Sequence, residues 1–237
     1  MIASKHWTIF KGMDSRNLGM YQERAPDQVI PARRVEWIEI PGRDGALESW
    51  DGSYKPYQRT AEYIIRDLRN LSQIASFLTG SGWVTFSDEP DMRSRASIAN
   101  QADLIREIRQ YRRMQVIFDL QPYKYERNPQ PILLSASGGQ KLETALYNYG
   151  TAFALPVFHI TGNGYVDITI QGQSFRVQVG SGITVDCRLQ ECYNAAGENL
   201  NTDMIGNFPS IAPGICPVTI EPEGDAAVTI DPNWRWL

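Results

Sequence analysis

The stretch Gly162-Asn-Gly-Tyr-Val-Asp-Ile-Thr-Ile-Gln-Gly172, running on through Gln173-Ser-Phe-Arg-Val-Gln-Val-Gly-Ser-Gly182 to Ile183-Thr-Val-Asp-Cys187, decides the fold class of this chain. Val166, Ile168 and Ile170 alternate with polar residues; so do Phe175, Val177 and Val179, and then Ile183, Val185, Cys187 and Leu189. A period of two sends successive side chains to opposite faces, so each run predicts a β-strand with one buried face. Gly162, Gly172 and Gly182 recur at ten-residue intervals in the turns between the runs. Short strands at this spacing, joined by glycine turns, predict an antiparallel sandwich or barrel. Val218–Ile220 and Val228–Ile230, split by Glu221-Pro-Glu-Gly-Asp225, extend it.

Upstream, Asn128-Pro-Gln-Pro131 stiffens the chain and Ser135-Ala-Ser-Gly-Gly139 favours no regular element. Together they predict a linker over about 127–141 and a division into an N-terminal domain, 1–130, and a C-terminal domain, 131–237. In the first domain Trp7 and Ile9, and then Val35, Trp37, Ile38 and Ile40, read as strands. Pro41-Gly-Arg-Asp-Gly45 and Asp51-Gly52 read as turns. Tyr57, Arg59, Ala61, Tyr63 and Ile65 share one face of a strand. The period then changes: Leu71, Ile74, Ala75 and Leu78 fall at helical spacing, with Asn70 at the N-cap position and Gln73 completing a capping box, so one short amphipathic helix is expected to pack on the sheet. Trp83–Ser87 and Met114–Leu120 read as strands, Asp88–Asp91 as a turn, and 92–115 fits either a helix or a long hairpin. The fold class is therefore mainly β, an N-terminal barrel or sandwich with one helix followed by a C-terminal antiparallel sandwich.

Composition narrows the function. The chain of 237 residues is 42% hydrophobic and 21% charged, ordinary for a globular protein and too apolar for disorder. No apolar run reaches the ~20 residues that span a bilayer, and Met1–Trp7 lacks the apolar stretch of a signal peptide, which points to synthesis in a cytoplasm and to no membrane partner. A net charge of −4 argues against a free-standing duplex-DNA binder. The positive charges are 18 Arg and 5 Lys, a bias that suits either extensive subunit contacts or codon preference. Cys187, Cys192 and Cys216 have no framework spacing and read as reduced thiols, and with His6 and His159 they make no convincing zinc set.

Nucleophile elbows, phosphate loops, metalloprotease helices and dinucleotide fingerprints are all absent from the sequence, so no catalytic, cofactor-binding or metal-binding residue is assigned. Ser137-Gly-Gly-Gln-Lys141 lacks the first glycine and the final hydroxyl of a phosphate loop and reads as linker. His159, between Phe158 and Ile160, reads as a packed or surface strand residue. Asp88, Glu89 and Asp91 read as a solvated acidic turn. Arg93, Arg95, Arg106, Arg109, Arg112 and Arg113 crowd one segment, and three readings stay open: a DNA-facing surface, an intersubunit seam answering Glu36, Glu39 or Asp44, or a solvated loop. Tyr147, Tyr149, Tyr165 and Tyr193 would suit a sugar-stacking surface, the alternative function being a carbohydrate-binding module for host attachment.

Seven segments in order resemble one family. They are Phe10-Lys-Gly-Met-Asp-Ser15, Ile40-Pro-Gly-Arg-Asp-Gly45, Trp83-Val-Thr-Phe-Ser-Asp-Glu-Pro90, Val116-Ile-Phe-Asp-Leu-Gln-Pro122, Tyr147-Asn-Tyr-Gly-Thr-Ala-Phe-Ala-Leu-Pro156, Phe208-Pro-Ser-Ile-Ala-Pro-Gly214 and Trp234-Arg-Trp236. Their order and spacing, over nearly the whole chain, are similar to the distal tail (Dit) proteins of long-tailed phages. The resemblance implies a non-enzymatic structural protein whose N-terminal domains form a six-fold ring around a channel, with galectin-like C-terminal sandwiches outside it. It implies a place at the distal end of the virion tail, with the tail-tube protein on one face, the tail-tip (tail-associated) protein on the other, and phage DNA passing without specific binding. No long insertion separates the strands, so the added carbohydrate-binding modules of some relatives are not expected.

Overall fold

The computed structural model describes residues 5–66, 68–100, 108 and 112–237. The chain divides into two compact units, one ending at Arg127 and one running from Asn128 to Trp236. In the first unit the strands are β1 (Thr8–Phe10), β2 (Met13–Asp14), β3 (Met20–Gln22), β4 (Arg33–Glu39), β5 (Ala46–Tyr54) and β6 (Tyr57–Ile65). Helix α1 (Leu71–Phe77) follows, then β7 (Ser81–Phe86), β8 (Met92–Ile98) and the long β9 (Arg113–Glu126). Seven of these strands form one antiparallel path, β2-β1-β7-β8-β9-β6-β3, while β4 and β5 pair only with each other.

The alternation of β6 sets its face: Tyr57, Arg59, Ala61, Tyr63 and Ile65 are all buried, and Gln58 and Glu62 are exposed. Met114, Val116, Phe118 and Leu120 of β9 join them, and α1 closes the core with Ile74 and Phe77. Phe10 meets Phe77 and Phe118 edge to face, at 5.7 and 5.6 Å between centroids. Each such side chain contributes about 1.5–3 kcal/mol by leaving water.

Two local expectations are corrected here. Asn70 occupies the N-cap position, but its backbone (φ −93°, ψ 19°) is not extended and its side chain makes no capping bond; only its carbonyl accepts, from Ile74 N. The helix is instead fastened at its other end, where Lys11 Nζ donates to the carbonyls of Ser76 and Thr79. Asp51-Gly52 does not turn the chain. It forms a bulge within β5, where Gly52 sits at φ +86° and the Asp51 carboxylate accepts from Ser53 N and Oγ, so that three residues stand opposite Arg34.

The second unit holds β10 (Ile132–Ala136), β11 (Leu142–Asn148), β12 (Val157–Gly162), β13 (Gly164–Ile170), β14 (Gln173–Val179), β15 (Ile183–Asp186) and β16 (Glu191–Tyr193). β17 (Met204–Gly206), β18 (Gly214–Pro222), β19 (Ala226–Asp231) and β20 (Arg235–Trp236) complete it. Two five-stranded antiparallel sheets, β10-β19-β12-β15-β16 and β11-β18-β13-β14-β17, face each other as a sandwich. The expected faces meet in its core: Val166, Ile168, Ile170, Phe175, Val177 and Val179 from one sheet, Phe158, Ile160, Val185, Val228 and Ile230 from the other. Leu189 departs from its stripe, half exposed in the turn after β15. The expected linker also contains a real strand. Ile132–Ala136 pairs with β19, a partner about ninety residues away that local composition cannot reveal. Pro156 precedes an interior strand: β12 lies between β19 and β15, and the proline escapes the ladder by sitting one residue before it.

Candidate functional site

The quoted motifs acquire physical roles once the strands are placed. Ser15 is fully buried and accepts from Thr8 N, while Thr8 Oγ1 donates to Gln22, so Phe10–Ser15 locks the first strands together. In the second unit Asn148 is buried. Its Nδ2 donates to the carbonyls of Ala152 and Ile211, and its Oδ1 accepts from Gly150 N at 2.8 Å. Gly150 is required by proximity, since a Cβ there would lie 2.4 Å from the Arg235 carbonyl oxygen. These motifs are structural.

The acidic turn is corrected from solvated loop to structural anchor. Arg59 points into the core side of β6 with its side chain 4% exposed. It donates to Asp88 at 2.5 Å, Glu89 at 3.3 Å, and the carbonyls of Pro26 and Asp27 at 2.6 and 3.0 Å, with its guanidinium 4.4 Å from the Phe86 ring centroid. Lys124 Nζ takes the other oxygen of Glu89 at 2.6 Å. Asp91, the third acidic residue of the turn, is exposed.

The feature least explained by internal packing is the β4–β5 hairpin. Both strands are exposed over almost their whole length, with Trp37 61% exposed and Ile38, Leu47 and Trp50 all at 40% or more. A two-stranded ribbon alone is marginally stable in water, and this one meets the rest of its unit at its base, where the Tyr54 ring lies 6.1 Å from that of Tyr123. Glu36 and Glu39 lie on β4 and Asp44 in the loop beyond it; all three are exposed, and none has an ion-pair partner among the described residues.

The arginines do not form one patch. Arg93 and Arg95 project from the outer face of β8, each guanidinium 4.4 Å from the centroid of the Trp83 ring. Arg113 pairs with Ile64 at the far end of β9 from Tyr125, the partner of Arg93, on the order of 40 Å away along an extended strand. Arg112 precedes it at φ +57°. Arg106 and Arg109 lie outside the described residues.

In the second unit Tyr147 and Tyr149 stand together on exposed backbone, ring centroids 4.8 Å apart, next to the exposed Ile215 opposite Tyr147. The other two tyrosines are elsewhere: Tyr165 faces Arg176 on β13–β14, and Tyr193 belongs to the opposite sheet. His159 lies between Thr184 Oγ1, 3.1 Å from Nδ1, and Asp231 Oδ2, 3.2 Å from Nε2. That order of groups imitates a hydroxyl–imidazole–carboxylate relay. Thr184, however, sits in mid-strand on β15, whose backbone amides are engaged by β12 and β16 on either side, so no free pair of donors is available for a developing oxyanion. Among the described residues no group of three or more His, Cys, Asp or Glu is arranged to hold a metal ion, and no helix is long and apolar enough to cross a membrane. The three thiols are buried, and burial pushes Cys187 up to about 12 and Cys192 and Cys216 up to about 11, far from nucleophilic thiolates.

No family model and no curated protein matches the chain in sequence. Its fold, however, is that of a solved phage protein, the Dit protein (gp 19.1) of SPP1, with a TM-score of 0.71 over 98% of this chain and 99% of that one. That protein is described as a paradigm of the hub adsorption apparatus in phages that infect Gram-positive hosts, and the two sequences are 12% identical.

Proposed function

We propose that this protein is a structural distal tail subunit of a long-tailed phage, which closes with its copies into a six-membered ring joining the tail tube to the tail-tip protein and lets DNA pass. The likeness to SPP1 Dit over both units supports a hub role. The observation that carries ring assembly is the β4–β5 hairpin, a ribbon bearing exposed Trp37, Ile38, Leu47 and Trp50 that stays uncovered over almost its whole length among the described residues. A hairpin reaching from one copy to a different patch on the next makes a heterologous contact, the kind that closes into rings. Glu36, Glu39, Asp44, Arg93, Arg95, Arg112 and Arg113 are the proposed intersubunit charges. The protein acts in the virion, at the distal end of the tail, after synthesis in the host cytoplasm, and carries out no catalysis. Negative-stain imaging of the purified protein, alone and with its tail-tip partner, is expected to show annular particles. Strictly monomeric behaviour in the presence of both tail neighbours would overturn the assignment.

The Tyr147–Tyr149 pair supports a second reading, a sugar-stacking surface for adsorption, because two exposed tyrosine rings side by side offer apolar faces to a pyranose. A glycan array with the purified protein is the direct test, and silence across a broad set would remove this reading.

A further inference from the structure

The Arg93–Trp83–Arg95 cluster is built around two cations that lack a counter-ion. Both guanidiniums lie against one indole, and Tyr125 buttresses that indole edge to face at 5.4 Å. No carboxylate lies within ion-pair distance of either arginine among the described residues. Arg93 Nε is shielded from solvent and donates to nothing among the described residues. Burial, and after it the charge of Arg95, hold the Arg93 guanidinium below the usual arginine value. Two like charges kept close and partly dry are unfavourable until an anion joins them, and planar N–H forks are suited to carboxylates.

The complementary surface is on the hairpin of the same chain. Trp37 stands opposite Glu48 in the β4–β5 ladder, and Glu39 is two residues along, so Trp37, Glu39 and Glu48 share one face. All three are exposed, and neither glutamate has a partner among the described residues. One surface thus presents two unpaired cations on an indole, and the other presents an exposed indole flanked by two unpaired carboxylates.

We infer that the Arg93–Trp83–Arg95 cluster of one copy receives the Glu39 and Glu48 carboxylates of the hairpin of the next copy. This rests on the ring assembly proposed above and names the pairing that gives it direction and register. A carboxylate is favoured over a nucleic-acid phosphate because the chain itself carries the matching acids on an exposed ribbon, and because gripping phosphates would retard passing DNA.

The test uses the full chain in two charge-reversed forms, R93E/R95E and E39K/E48K, with self-association followed by sedimentation. The wild type is expected to associate, and each variant alone to associate at least ~30-fold more weakly, the loss that follows from breaking a desolvated charge pair. An equimolar mixture of the two is expected to recover the wild-type assembly, since an alternating ring restores an opposite-charge contact at every interface. Recovery on mixing also shows that both variants are folded, and circular dichroism checks each separately. Unchanged association of either variant, or a mixture no better than its components, overturns the pairing while leaving the ring intact. A wild type that stays monomeric at high micromolar concentration overturns the ring and the pairing together. A duplex oligonucleotide bound by the wild type but not by R93E/R95E, with association unaffected, would instead assign the cluster to phosphate and overturn the inference.

Discussion

Replacing Arg59 by alanine tests the anchor inside the first unit. The side chain is 4% exposed, and its removal takes the cation from Asp88 and one of two cations from Glu89, carboxylates whose side chains are 19% and 22% exposed. Breaking a buried ion pair from one side costs about 3–5 kcal/mol. Here the lower end applies, because both carboxylates keep some contact with water and Glu89 retains Lys124. The carbonyls of Pro26 and Asp27 also lose their donor, at about 1 kcal/mol each when left unmatched, which brings the expected loss to about 5 kcal/mol. For a unit of this size each kcal/mol moves the midpoint by roughly 3–5 °C, so its thermal transition is expected to fall by about 15–25 °C. Thermal and urea melts followed by tryptophan fluorescence would report it, with the two units treated as separate transitions. Arg59→Lys, which keeps the charge and loses the fork, is expected to recover about half. The double change Arg59→Met, Asp88→Asn is expected to be milder than Arg59→Ala, because Glu89 keeps Lys124 and no unpaired charge remains. A loss below about 1 kcal/mol for Arg59→Ala would refute the account, since the network would then be surface decoration.

Three further outcomes are expected. Asn148→Ala leaves Gly150 N without its acceptor in a buried corner and takes one donor from the Ile211 carbonyl, which keeps Ala154 N, and should destabilise the second unit by about 2–3 kcal/mol in urea melts. The native thiols should resist a disulfide reagent at pH 8 and all react on unfolding, because Cys187 is pushed up to about 12 and Cys192 and Cys216 to about 11; rapid labelling of the folded chain would contradict their burial. For Asp14, burial alone would raise its pKa, but the side-chain and backbone hydrogen bonds from Arg16 and the charges of Arg16 and Arg127 outweigh it and leave the carboxyl below its ordinary 3.8. A depressed folded value means stability that is fully present above the unfolded pKa and lost as pH falls through the folded one. The stability gap between wild type and Asp14→Asn should therefore be flat at neutral pH and close only below about pH 4; a gap that is unchanged in acid would remove the claim.

Much of the architecture was legible in residue order alone because strand faces are a local matter. The alternation in β6, β13, β14 and the start of β15 assigned their buried sides, and the switch to helical spacing at Leu71 placed the helix, since side-chain direction follows the backbone period. Gly162, Gly172 and Gly182 marked the turns that separate β12 to β15 for the same local reason. Partnership was not legible. Arg59 reads as one polar residue on an apolar face, and Asp88 and Glu89 as a solvated turn, until the fold brings groups about thirty positions apart to within 2.5 and 3.3 Å. Ile132–Ala136 looks like linker until β19 supplies its ladder, and Arg93, Arg95 and Arg113 look like members of one crowded segment until β8 and β9 carry them to different places. Local sequence determines which way a side chain points. Which group it meets depends on contacts closed across long loops, and only the tertiary structure decides those.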